Sequence, residues 1–256
     1  MQSFHKNRTH NIKSQYCLLL DGVNERININ DALTPLATTT VGTWSCWVNP
    51  VDATPAANDM LISFGAGDTT DLLRIVLTTT GVFSGAVTNN NITQWALNTN
   101  SAVFSDNTWT HVAVVQDGVS PVLYINGVAV AQTFATSTDK TQWFNNLVLN
   151  NGRLGCRFWA VAEGDGALPF NGSIDEVALF NTNLTAAQVL EIYKGGSRIN
   201  LNAHSKAANL AGYFRMSDPD ATFSTNWSIP DDSVNNNAGT SVNMEATDIS
   251  TGIIGF

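Results

Sequence analysis

Between residues 16 and 180 short apolar runs recur, separated by clusters of Gly, Asn, Asp and Thr. This is the pattern of a β-sandwich rather than of alternating strands and helices. In 43–49 Trp44, Cys46 and Val48 share one face of a strand and Trp47 takes the other. Residues 60–64, 72–77 and 82–87 read as meander strands. In 109–115 Trp109, His111, Ala113 and Val115 alternate with Thr110, Val112 and Val114. Asn126-Gly127, set between apolar runs at 122–125 and 128–130, predicts a two-residue hairpin, because both residues tolerate the positive φ of a type I′ turn. Further strands are expected at 147–149 and 154–160.

One segment changes period. Residues 174–180 are too apolar for a strand with one wet face, so both faces should be covered. A short helix follows at 185–194. Thr185 and Gln188 form a capping box, Leu184 and Val189 a hydrophobic staple, and Gly195 and Gly196 stop it. At about ten residues such a helix is marginal alone and has to dock on a sheet.

These segments carry a resemblance. FNGSIDEVALFNTNLTAAQVLEIYKGG (170–196) is similar to the last strand and terminal helix of the laminin G-like, concanavalin A-like jelly rolls, the group that includes the pentraxins. NTWTHVAVVQDGVSPVLYINGVAVA (107–131) resembles that family's central hairpin, and YCLLLDGVNERINI (16–29) its opening strands. The resemblance implies an all-β, two-sheet antiparallel jelly roll over 14–196 with one peripheral helix. Residues 1–13 then form an N-terminal arm, and 197–256 a polar C-terminal segment. LAGYFRMSD and DDSVNNNAGTSVNM in that segment resemble what precedes the first strand in many laminin G-like domains. Residues 210–216 and 240–244 are therefore expected to pair at the sandwich edge, or else to serve as an assembly tail.

Composition narrows the partners. A chain of 256 residues needs no staples to build a core. Its three cysteines are widely spaced, and they read as core thiols rather than as a disulfide framework or a zinc site. Net charge is −9 with only 12 Lys and Arg, which argues against a nucleic-acid partner. No segment approaches the ~20 apolar residues of a membrane span, and residues 1–13 lack the apolar run of a signal peptide. That arm holds Lys6, Arg8 and Lys13 and reads either as a docking element or as a polar terminus.

Catalysis finds little footing. Glycan cleavage on such a fold needs two carboxylates held ~5 to 9.5 Å apart. Glu163 and Asp165 fall in a glycine-flanked loop, while Asp175 and Glu176 are adjacent and should face opposite ways on a strand. His111 reads as a structural, hydrogen-bonded histidine. Trp95, Trp143 and Trp159, in loop-rich segments with Asn and Gln around them, are candidate glycan contacts, or else core aromatics. Many members of the family carry calcium. The resemblance places Asp21 and Asp175 near each other as candidate calcium ligands, and hydrogen bonds to backbone N–H groups would explain the same residues without metal.

The polar Asn- and Thr-rich style is similar to that of tailed-bacteriophage proteins. The implied function is a non-catalytic virion structural protein, a capsid decoration, tail or fibre component. It would be made in the host cytoplasm and would contact other virion proteins or copies of itself. The alternative is a bacterial carbohydrate-binding adhesin or lectin that recognises a cell-surface glycan. A glycan-cleaving enzyme stands third.

Overall fold

The computed structural model describes residues 17–67, 71–159, 164–197, 199–216 and 221–250. The expected N-terminal arm lies outside them. Two large antiparallel sheets form a jelly-roll sandwich, as the resemblance implied. One sheet runs in the order Val128–Ala129, Val122–Ile125, Thr110–Gln116, Gly42–Pro50, Asn171–Phe180, Cys17–Asp21 and Ile249–Ser250. The other runs Gln132–Ser137, Ile92–Thr99, Phe83–Asn89, Leu72–Leu77, Asp59–Gly65, Asn151–Leu154, Arg26–Asn28, Gly239–Val242, Trp227–Ile229 and Thr222–Phe223. A small hairpin, Arg157–Trp159 with Gly164–Ala167, forms a third, two-stranded sheet.

Strand Asn171–Phe180 is the centre of the first sheet. It pairs along one side with Gly42–Pro50. On the other side its first half pairs with Cys17–Asp21 and its second half with Leu210–Phe214. Nine of its ten residues are buried, which explains the continuous apolar run. Ile174, Val177 and Leu179 point into the main core, where they meet Trp44, Val48, Phe64, Ile75, Val87 and Leu97 from both sheets. At ~1.5–3 kcal/mol for each large side chain fully buried, this core is the main source of stability.

Ala178 and Phe180 point the other way into a second apolar layer with Ala113, Leu184, Val189, Ile192, Leu210 and Tyr213. Helix α1, Ala186–Tyr193, covers that layer. Its capping box is present as expected: Gln188 N–H donates to the Thr185 hydroxyl, and Thr185 N–H donates to the Gln188 side chain. Lys194 takes the left-handed conformation itself (φ 41°), one residue before the glycines expected to end the helix.

Three expectations are corrected. Residues 147–149 are not a strand; a 3₁₀ turn at Phe144–Asn146 leads into Asn151–Leu154 instead. The run expected at 154–160 is broken by Gly155 (φ 79°) into two strands of different sheets. The two segments expected to pair, 210–216 and 240–244, do not pair with each other. Leu210–Phe214 joins the first sheet beside Asn171–Phe180, and Gly239–Val242 joins the second beside Arg26–Asn28.

Candidate functional site

Along Leu72–Leu77 the alternation is simple: Leu73, Ile75 and Leu77 enter the core, so Arg74 stands on the outer face of the ten-stranded sheet. Its ladder partners are Ser63 on one side and Ala86 on the other, and Ala86 in turn pairs with Ala96. Two small side chains in a row leave the guanidinium standing over a low floor. Around it on the same face, Ser84, Thr88 and Asn98 are half-buried and polar, since Phe83, Val87 and Leu97 take the inward positions.

On the other flank of Arg74 the hairpin Arg157–Trp159 and Gly164–Ala167 lies against strand Asp59–Gly65. A Cβ on Gly65 would stand 2.5 Å from the Phe158 carbonyl, so glycine is what lets the hairpin seat. Arg153 shares the Arg74 row through Ser63 and places its guanidinium over the Phe158 ring at 5.1 Å. It also donates to Asn30 Oδ1 at 2.6 Å. Arg26 is on the same sheet face, outward of Ile27, near Gly166. Arg26, Arg153 and Arg157 are engaged by neighbouring groups, whereas Arg74 has no acceptor or carboxylate against it among the described residues. Burial, and then the like charge of Arg157, hold the Arg74 guanidinium down at about 10. It is still charged at neutral pH.

The profile of the concanavalin A-like lectin/glucanases superfamily matches residues 21–190. The chain belongs to that superfamily. Solved structures of similar fold include the CBM40 of Ruminococcus gnavus IT-sialidase bound to α2,3-sialyllactose, at 17% identity and a TM-score of 0.56 over 70% of this chain and 98% of that one. A Bacteroides ovatus protein assigned to carbohydrate binding is similar at 15% identity and a TM-score of 0.63, over 93% of this chain and 60% of that one. The heptameric SAP-like pentraxin of Limulus polyphemus is similar at 12% identity and a TM-score of 0.51, over 71% of this chain and 83% of that one. No curated protein matches the chain. At these identities the structural likeness shows the shared jelly-roll fold alone. The lectin/glucanase membership is supported, and the bacteriophage style is not.

Within this superfamily fold the expected glycan contacts fall elsewhere. Trp95 and Trp143 are each 1% exposed. Trp143 packs on Trp44 at 5.4 Å and stacks with Trp95 at 6.5 Å, and the Trp95 indole donates to the Gln142 carbonyl. Both fill the core, so neither offers a ring face to a sugar. Trp159 is on a described strand, but its side chain lies outside the described set. At the far edge of the ten-stranded sheet the exposed Phe223 meets Trp227 at 5.2 Å, and Trp227 packs in turn against the main core.

The expected calcium pair does not converge. Asp21 pairs with Asn171, and Leu18 with Ile174, so Asp21 and Asp175 stand four ladder positions apart, roughly 14 Å at 3.4 Å per residue. Asp21 accepts from Val23 and Asn24 N–H instead, and Asp175 accepts from Glu176 N–H. No group of three His, Cys, Asp or Glu able to hold a metal occurs among the described residues.

Asp175 and Glu176 do not face opposite ways as expected. Ile174 and Val177 both enter the main core, and a bulge with Glu176 at φ 49° turns the two residues between them toward the helix side. There Glu176 accepts a short hydrogen bond from the Tyr213 hydroxyl and faces Arg215 at 3.7 Å. A shallow cleft beside it is lined by Trp47, Glu176, Ile192, Ile199 and Leu201. The carboxylates are 0% and 5% exposed, which makes the cluster a structural one. Glu163 lies outside the described residues, as does the Asp165 side chain.

Proposed function

We propose that this chain is a carbohydrate-binding module that acts by contact and has no catalytic step of its own. The observation that carries this is the outer face of the ten-stranded sheet, where a half-buried arginine over two alanines is ringed by Ser84, Thr88 and Asn98. Sugar recognition needs this combination of room and oriented polar groups. Membership of a lectin/glucanase superfamily, and neighbours that include a sialyllactose-bound CBM40, support the same reading. Asp175 and Glu176 are buried, Glu176 held by Tyr213 and Arg215 and Asp175 accepting from the Glu176 N–H, which argues against their serving in glycoside hydrolysis.

Attachment to virion proteins finds no support in the comparisons, so the lectin alternative becomes the main reading. The test is a glycan array probed with the labelled chain, followed by calorimetry on the sugars retained. Retention that falls several-fold in Asn98→Ala, with no reducing sugar released, is the expected result. Retention of no glycan, or release of reducing sugar, would overturn it.

A further inference from the structure

The chain is acidic overall, with a net charge of −9, yet four of its seven arginines (Arg26, Arg74, Arg153 and Arg157) gather on or beside one sheet face. Three of them are engaged by their neighbours. Arg74 is different: it is half-buried, next to a like charge, and without a partner among the described residues. A guanidinium taken partly out of water beside another cation is destabilising unless an anion meets it. The ladder neighbours at this position, Ser63, Ala86 and then Ala96, carry no charge that would account for a cation there.

The kind of anion follows from the surroundings. Guanidinium presents a planar fork of N–H donors that matches a carboxylate or another oxyanion with two hydrogen bonds. A polyanion such as nucleic acid is disfavoured by the charge of the whole molecule, and the single unpartnered arginine among the described residues of this face cannot neutralise a run of phosphates. A mostly neutral ligand bearing a single negative group fits better, its hydroxyls meeting Ser84, Thr88 and Asn98 while its charge meets Arg74. We infer that this face takes a glycan bearing a carboxylate or sulfate group, with Arg74 as the residue that anchors the charge. This rests on the carbohydrate-binding reading and specifies its ligand class.

The experiment is calorimetric titration of the 256-residue chain with lactose, 3′-sialyllactose and 3′-sulfolactose, after an array of neutral and acidic glycans. Arg74→Gln and Arg74→Lys are compared with the parent, and thermal melts confirm that both variants fold. The acidic sugars should bind at least about tenfold tighter than lactose, a preference lost in Arg74→Gln and partly kept in Arg74→Lys. Preference for sialyllactose alone would assign a carboxylate, and for sulfolactose alone a sulfate; equal preference would support a general oxyanion. If neutral glycans bind as tightly as acidic ones, or if Arg74→Gln keeps the acidic preference, the inference fails while the carbohydrate reading stands. If no glycan on the array binds, both fail. If Arg74→Gln does not fold, the preference of Arg74→Lys relative to the parent decides in its place: an undiminished preference overturns the anchor, and a weakened one supports it.

Discussion

His111 shows what burial does to one ionisable side chain. Its Nε2 is 2.7 Å from the Ser45 hydroxyl, its ring packs against Trp47 and Tyr193, and Nδ1 has no partner among the described residues. Burial holds its pKa down at about 3, whereas in the unfolded chain it protonates near the ordinary histidine value of 6.5. Below pH 6.5 the unfolded state therefore binds a proton that the folded state refuses, so the contribution of this residue is fully present above 6.5 and declines as pH falls toward 3. We predict that His111→Gln has a shallower fall of melting temperature between pH 6.5 and 3 than the parent; parallel curves would refute this. His111 was legible as structural because it sits inside a strong strand pattern. Arg74 was not, because LLRIVL discloses that an arginine faces outward but not that nothing meets it. For Trp95 and Trp143 the core alternative holds: polar neighbours in sequence suggested a wet site, but strand Ile92–Thr99 and the loop at 142–146 turn the two indoles into the core.

At the scale of elements, those written in local chemistry were readable. The Asn126-Gly127 hairpin is present with φ 50° and 78°, and helix α1 begins at its capping box. Gly127 also supports the helix, since a Cβ there would stand 2.9 Å from Tyr193 Cβ and 3.0 Å from Leu190 Cδ1. Gly127→Val should therefore destabilise by at least about 1–2 kcal/mol from backbone conformation alone, with more from the clash, read as a lower denaturant midpoint. An unchanged midpoint would mean that the hairpin does not press on the helix. Tyr213 is the second test. Its hydroxyl donates to Glu176, lies 3.2 Å from the Ile199 carbonyl and accepts from Leu201 N–H. Tyr213→Phe should cost about 1–3 kcal/mol, because it leaves a buried carboxylate short of a donor; a loss below a few tenths would show that Arg215 alone holds Glu176. Strands Ile92–Thr99 and Gln132–Ser137 were not legible because their inward alternation rests on few apolar residues, Trp95 and Leu97 in one and Phe134 in the other.

At the scale of the molecule, the superfamily match ends at residue 190, yet the sandwich does not. The expectation of a self-contained 14–196 unit with a C-terminal segment beside it came from motifs, which carry no information about where a distant strand docks. Residues after 196 complete both sheets. Ala211, Phe214, Met216, Ile229 and Met244 belong to the main core, and Leu201, Leu210 and Tyr213 to the layer under the helix. Asp231 ties the segment together, accepting from Tyr213, Ser233 and Asn237 N–H. Removing residues 197–256 would strip one flank from the second half of Asn171–Phe180, uncover Arg26–Asn28 as an open edge, and leave Glu176 buried without Tyr213 or Arg215. Each loss is of a kind that destabilises by kilocalories, and an uncovered strand edge invites association. We therefore predict that residues 1–196 alone are insoluble or lack a cooperative melt, whereas the 256-residue chain unfolds in one transition. A soluble 1–196 fragment with the parent's melting temperature would show that the C-terminal strands are an appendage to a core that stands without them.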